Sequence, residues 1–122
     1  MPKLIALLVF TTLATVAFAP TAGSGSLPKL SAKVGPGFTI TLKNAAGRQV
    51  KTVKAGTYVI LVTDRSGDDQ HNFHLVGPGV RRTTSVPFTG TRRWTVTFRK
   101  GKTYRFQCDP HSLVMKGTFR AV

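Results

Sequence analysis

Apolar and polar positions alternate along most of the chain beyond residue 26. The period is two, which sends successive side chains to opposite faces of a strand. Leu30, Ala32 and Val34 share one parity within 27–34, and Phe38, Ile40 and Leu42 alternate with Thr39, Thr41 and Lys43. A short edge-like piece at 50–54 precedes an apolar run at 57–63, which suits a central strand. In 71–76, His71, Phe73 and Leu75 take one face and Asn72, His74 and Val76 the other. Further strands are predicted at 80–85, at 92–100 with Trp94, Val96 and Phe98 inward, through Tyr104, Phe106 and Cys108, and at 117–122 with Phe119 and Ala121 inward. Turn signals separate them: Gly35-Pro36-Gly37, Asn44 to Gly47, a polar loop from Asp64 to Gln70, Gly77-Pro78-Gly79, Pro87 with Gly90, and Gly101-Lys102. The pattern predicts seven to nine short strands, no helix after the first stretch, and an all-β fold, a Greek-key antiparallel β-sandwich.

The first stretch reads differently. A basic start, Met1-Pro2-Lys3, leads into sixteen uncharged and mostly apolar residues, 4–19, ending in Ala17-Phe18-Ala19. That is the form of an export signal, and the run is shorter than the roughly twenty residues a spanning helix needs. Residues 1–23 are therefore expected to be a signal peptide cut between 17 and 25, and 24–122 a single domain. An anchor retained at the N-terminus is the alternative, and the only expected contact with a membrane. The expected location is outside the cytoplasm: periplasm, cell envelope or secreted.

Charge narrows the partners. Eighteen Lys and Arg stand against four Asp and no Glu, a net +14. Such a surface favours acidic partners. Export and the scatter of basic residues in ones and twos argue against nucleic acid. An acidic redox partner or an anionic envelope surface fits better, with the protein itself a monomer. The pairs Arg81-Arg82, Arg92-Arg93 and Arg99-Lys100 read as solvated strand ends.

The chemistry gathers near the end of the chain. Cys108 is the only cysteine, so it has no disulfide partner within the chain, and an unpaired thiol in an exported protein calls for an explanation. Asp109-Pro110 follows and turns the chain towards His111, and Met115 comes after three intervening residues. Thiolate, imidazole and a weak thioether, joined by a second imidazole, form the ligand set of blue-copper electron-transfer sites. The parity of 71–76 selects His71 for that second place over His74. The set His71, Cys108, His111 and Met115 is the predicted metal site, for one copper ion. No nucleophile–base pair, phosphate-binding glycine loop or carboxylate pair is present, so no catalysis is expected.

Cys108-Asp109-Pro110-His111 followed by Met115, with His71-Asn72 upstream, resembles the cupredoxins, the plastocyanin, pseudoazurin and amicyanin group. The resemblance spans nearly all of the chain after the first twenty-five residues. It implies a cupredoxin-like sandwich and a mononuclear type 1 copper protein carrying single electrons, or, alternatively, one that buffers or delivers copper. It also implies that Asn72 clamps the backbone of the cysteine loop, that His111 is the exposed ligand, and that Leu113 and Val114 form a docking patch. Gly77 to Val80 is the expected opposite rim of that patch.

Overall fold

The computed structural model describes Val16, residues 25–67 and residues 70–122. The predicted signal peptide lies outside the described residues apart from Val16, as do Asp68 and Asp69. Among the described residues no helix is long and apolar enough to cross a membrane.

Among the described residues nine strands form: β1 Lys29–Val34, β2 Ile40–Asn44, β3 Thr52–Val53, β4 Gly56–Asp64, β5 His74–Gly77, β6 Val80–Thr83, β7 Gly90–Phe98, β8 Thr103–Gln107 and β9 Lys116–Ala121. They make two sheets, ordered β2-β1-β4-β7 and β3-β9-β8-β5-β6. This is the all-β sandwich that the alternation predicts. One correction concerns strand direction. β1 pairs with β4, and β3 with β9, in parallel, so both sheets are mixed rather than wholly antiparallel. A parallel pair needs a long crossover, and β2 and β3 lie in the stretch that joins β1 to β4.

The alternation becomes the core. Leu30, Ala32, Val34, Leu42, Ile60, Val62, Trp94, Val96 and Phe98 from the first sheet are buried with Leu75, Tyr104, Phe106, Phe119 and Ala121 from the second. Phe73 stacks on Phe106 at 5.6 Å, and Phe98 meets Phe119 edge-on at 5.1 Å. Offset and edge-on pairs of this kind add to the burial of their apolar area.

The strand directions define two poles. At one lie the ends of β1, β4 and β8 and the starts of β5, β7 and β9. At the other, Tyr104 satisfies its buried hydroxyl by accepting from Arg99 N at 2.7 Å and donating to Pro78 O at 3.3 Å. Gly77 packs against the Tyr104 ring there, where a Cβ would stand 2.4 Å from Cδ1. Gly77 to Val80 thus sits at the pole opposite Cys108 and cannot rim a patch beside His111, which corrects that expectation. A glycine break after β5 marks a turn, but the turn's pole follows from strand direction, which the break does not reveal.

Gly117 has no side chain because Phe106 occupies the space. Residue 117 pairs with Phe106 across β8 and β9, and a Cβ there would lie 2.3 Å from the ring's Cζ. The ring cannot swing away, since it is buried and stacked on Phe73. Overpacking of this kind costs about 1–3 kcal/mol. Gly117→Ala is expected to lower the thermal midpoint by at least about 4 °C, the shift that roughly 1 kcal/mol produces in a domain of this size. An unchanged midpoint in calorimetry would show that the core yields at this point.

Candidate metal centre

β8 delivers Cys108 to the pole. Tyr104 and Phe106 face the core on alternate positions, so Cys108 continues their parity just past the strand end and is fully buried. It keeps an extended backbone, and Pro110 then opens a short 3-10 turn, Asp109–His111. His111 N donates to Cys108 O at 3.1 Å, which closes the turn and brings the imidazole back over the thiol. The far side of the loop is fastened as well. Met115 N donates to His111 O at 2.8 Å, and Cys108 N donates to Met115 O at 3.0 Å.

His71 reaches the same point from the loop before β5. The strand begins only at His74, yet the predicted alternation holds through the extended stretch ahead of it: His71, Phe73 and Leu75 are all buried. Cys108 Sγ lies 3.5 Å from His71 Nδ1 and 3.7 Å from His111 Nδ1. The ligand atoms of the three residues all lie within 4.8 Å of one another. Bonds of about 2.0 Å to nitrogen and 2.3 Å to sulfur separate S from N by roughly 3.5 Å at tetrahedral angles and 3.7 Å at trigonal ones. The observed separations match these, so the thiol can share one metal ion with either imidazole at ordinary bond lengths, and the three ligand atoms lie close enough together to hold it. His71 and Cys108 are buried and His111 is partly exposed, which leaves the His111 ring as the side open to solvent. The chain matches no protein-family model and no curated protein.

Met115 is buried with its backbone tied to both Cys108 and His111. His74 is not part of the cluster. Its Nδ1 pairs with Asp109 Oδ1 at 3.0 Å on the outer side of the sheet.

Asn72 acts as the clamp that the resemblance implies. Its Oδ1 accepts from Asp109 N at 2.7 Å, while its Nδ2 donates to Asp109 Oδ2 at 2.8 Å and to Thr83 Oγ1 at 3.2 Å. In the sequence Asp109 stands out only as part of the hinge before His111. In the structure its carboxylate is the hub of the outer network, accepting from Asn72, from Gln107 Nε2 at 2.8 Å and from His74. Partial burial pushes this carboxyl up, but the hydrogen bonds from Gln107, Asn72 and His74 and the His74 charge outweigh it. The pKa falls from 3.8 to about 2.

A depressed carboxyl stabilises the fold above its unfolded pKa, and that stability is lost as pH falls through the folded value. For Asp109 the window runs from 3.8 down to about 2. Wild type is expected to lose stability across that window more steeply than Asp109→Asn does in parallel chemical denaturation. Identical pH profiles would show that the network adds nothing to folding.

The alternation puts Phe38 with Ile40 and Leu42 on the apolar face of a half-buried strand. β2 starts at Ile40 instead, and Phe38 stands 67% exposed at the metal pole, its ring edge-on to His71 at 5.7 Å and to His111 at 4.8 Å. It keeps the inward parity of Leu42 but lies beyond the sheet end, over the mouth of the site. With Leu113 and Val114, 87% and 71% exposed, it forms an apolar collar around His111.

Proposed function

We propose that the protein is an exported one-electron carrier in which His71, Cys108 and His111 would hold a single copper ion, with Met115 as a further, weak thioether donor. The observation that carries this reading is the Sγ position, 3.5 and 3.7 Å from two imidazole nitrogens in a buried pocket. The donor chemistry favours copper. One thiolate with two imidazoles is soft for the hard divalent cations, and zinc sites usually recruit further thiolates or carboxylates. This chain has no second cysteine, and neither described carboxylate joins the cluster. Copper, when bound there, supplies a one-electron couple.

The chain's own residues do the rest. The loop bonds and the Asn72 clamp hold the donors at fixed separations, so little has to move when the charge at the site changes. The buried Cys108 and His71 exclude water from the inner side. The His111 edge is the route for the electron, and the collar of Phe38, Leu113 and Val114 lets a partner dock close to it. A net +14 favours an acidic redox protein as that partner. The resemblance to the cupredoxins supports the same reading.

Voltammetry of the copper-loaded protein tests the electron-carrier role: a reversible couple is expected, whereas bound copper without one fits buffering or delivery instead. Met115→Leu refines the reading. Leucine keeps the volume close to that of methionine, which limits packing damage. Loss of a weak thioether donor would leave a bound ion to the three strong donors and would remove electron density, which favours the reduced state. One copper per chain and a raised reduction potential are expected. An unchanged potential and spectrum would assign Met115 to the core alone.

A further inference from the structure

Three basic pairs that are distant in sequence meet along one side of the sandwich. β6 and β7 are terminal strands of opposite sheets, and they run side by side. Between them lies a cleft of about 270 Å³ lined by Gly79, Arg81, Arg82, Thr95 and Thr97 among others. Arg81 pairs with Val76 on the outward face and Arg82 with the inward-facing Leu75, so the two guanidinium groups straddle the edge. The Arg99 guanidinium closes the far end over Gly79, where a Cβ would meet its Nη2 at 2.8 Å. Towards the metal pole, Arg93 is exposed on β7, and Arg92 lies over the Phe88 ring, 4.1 Å from its centroid.

Among the described residues none of these five arginines pairs with a carboxylate. Asp109 is engaged by His74, Asn72 and Gln107, and Asp64 is buried with Ser66 as its partner. Among the described residues folding therefore gathers like charge without a paired carboxylate, and self-repulsion of this kind opposes the compact state. An anion in the cleft removes that cost.

We propose that the β6–β7 edge binds a linear polymer bearing tetrahedral oxyanions, of the phosphate type. The arginines are spread along an edge whose longer strand has nine residues. At about 3.4 Å per residue this is a track near 30 Å long, which suits repeated charges better than one ion. Guanidinium forks match phosphate oxygens in pairs. The cleft has two walls, arginines on one and Thr95 and Thr97 on the other, the Thr97 hydroxyl being shared with Thr57, and a tetrahedral group presents oxygens to both. A planar carboxylate directs both of its oxygens to one side. A lipid surface meets the protruding side chains and leaves the cleft floor unused.

The test is calorimetric titration of the copper-free protein with linear polyphosphate at fixed salt, so the outcome is independent of the metal reading. Arg81→Ser/Arg82→Ser is compared with Lys29→Ser/Lys33→Ser, which removes the same charge from exposed positions on β1. Loss of charge-assisted hydrogen bonds in the arginine variant is expected to weaken binding by about tenfold or more, against less than about threefold in the lysine variant. Polyglutamate is expected to bind more weakly than polyphosphate. Equal losses in the two variants would overturn the site in favour of diffuse charge. Polyglutamate binding as tightly would make the ligand an acidic peptide, and binding to phosphatidylglycerol vesicles without binding to polyphosphate would make it a lipid surface.

Discussion

Replacing Cys108 with serine is expected to abolish the intense visible absorption of the copper-loaded protein. Cu(II) binding should weaken by more than the roughly 10–100-fold that loss of an outer hydrogen-bond partner costs a metal site. The thiolate is the only soft anionic donor in the cluster, and both imidazoles face it. A serine hydroxyl is close in size, so the loop can keep its Met115 and His111 backbone bonds. It does not ionise near neutral pH, and its oxygen electrons are held too tightly to give a visible charge-transfer band with the metal. The variant should therefore fold, which circular dichroism checks, and remain colourless. A spectrum equal to that of wild type would show that the colour arises elsewhere and would remove Cys108 from the site.

The second large effect separates two histidines three residues apart. His71→Ala is expected to destroy the coloured site. Its imidazole is buried, with Nδ1 3.5 Å from the thiol, and His111 supplies the other imidazole of the described cluster. His74→Ala removes only a hydrogen bond to Asp109 on the outer side of the loop. Asn72 and Gln107 still hold that carboxylate. The colour should persist, with copper affinity reduced by no more than the roughly 10–100-fold of an outer partner. Cu(II) titration of both variants decides the matter. Loss of the site in His74→Ala with retention in His71→Ala would mean that the chain enters β5 with the opposite phase.

Side-chain facing was legible in the sequence because a strand's period of two is local. It placed Trp94, Val96, Phe98, Tyr104 and Phe106 in the core, and it separated His71 from His74 although 71–73 lies outside the strand. The cluster was legible because a lone cysteine and a nearby histidine, joined by one proline turn, can hardly avoid each other. Strand neighbours were not legible, since alternation states which face a residue takes but not which strand lies beside it. For that reason the parallel pairing of β1 with β4, the pole occupied by Gly77 to Val80 and the meeting of the arginine pairs became visible only in the fold. Phe38 was misplaced for a related reason. Its parity was read correctly, but the sheet ends before it, and an inward-facing ring past the end of a sheet covers the pole instead of filling the core. Asp109 looked like a turn residue, and its role as a hub depends on Asn72, Gln107 and His74 arriving from other parts of the chain.

The central claim is that this sandwich holds one copper ion through a thiolate and two imidazoles, and titration of the metal-free wild-type domain with Cu(II), followed by visible absorption, tests it most directly. The expected result is an intense thiolate-to-copper band that grows linearly and stops at one equivalent per chain, with Zn(II) competing poorly for the site, as the order of divalent affinities requires. Saturation at one equivalent without that band, or no saturable binding at all, would contradict the account.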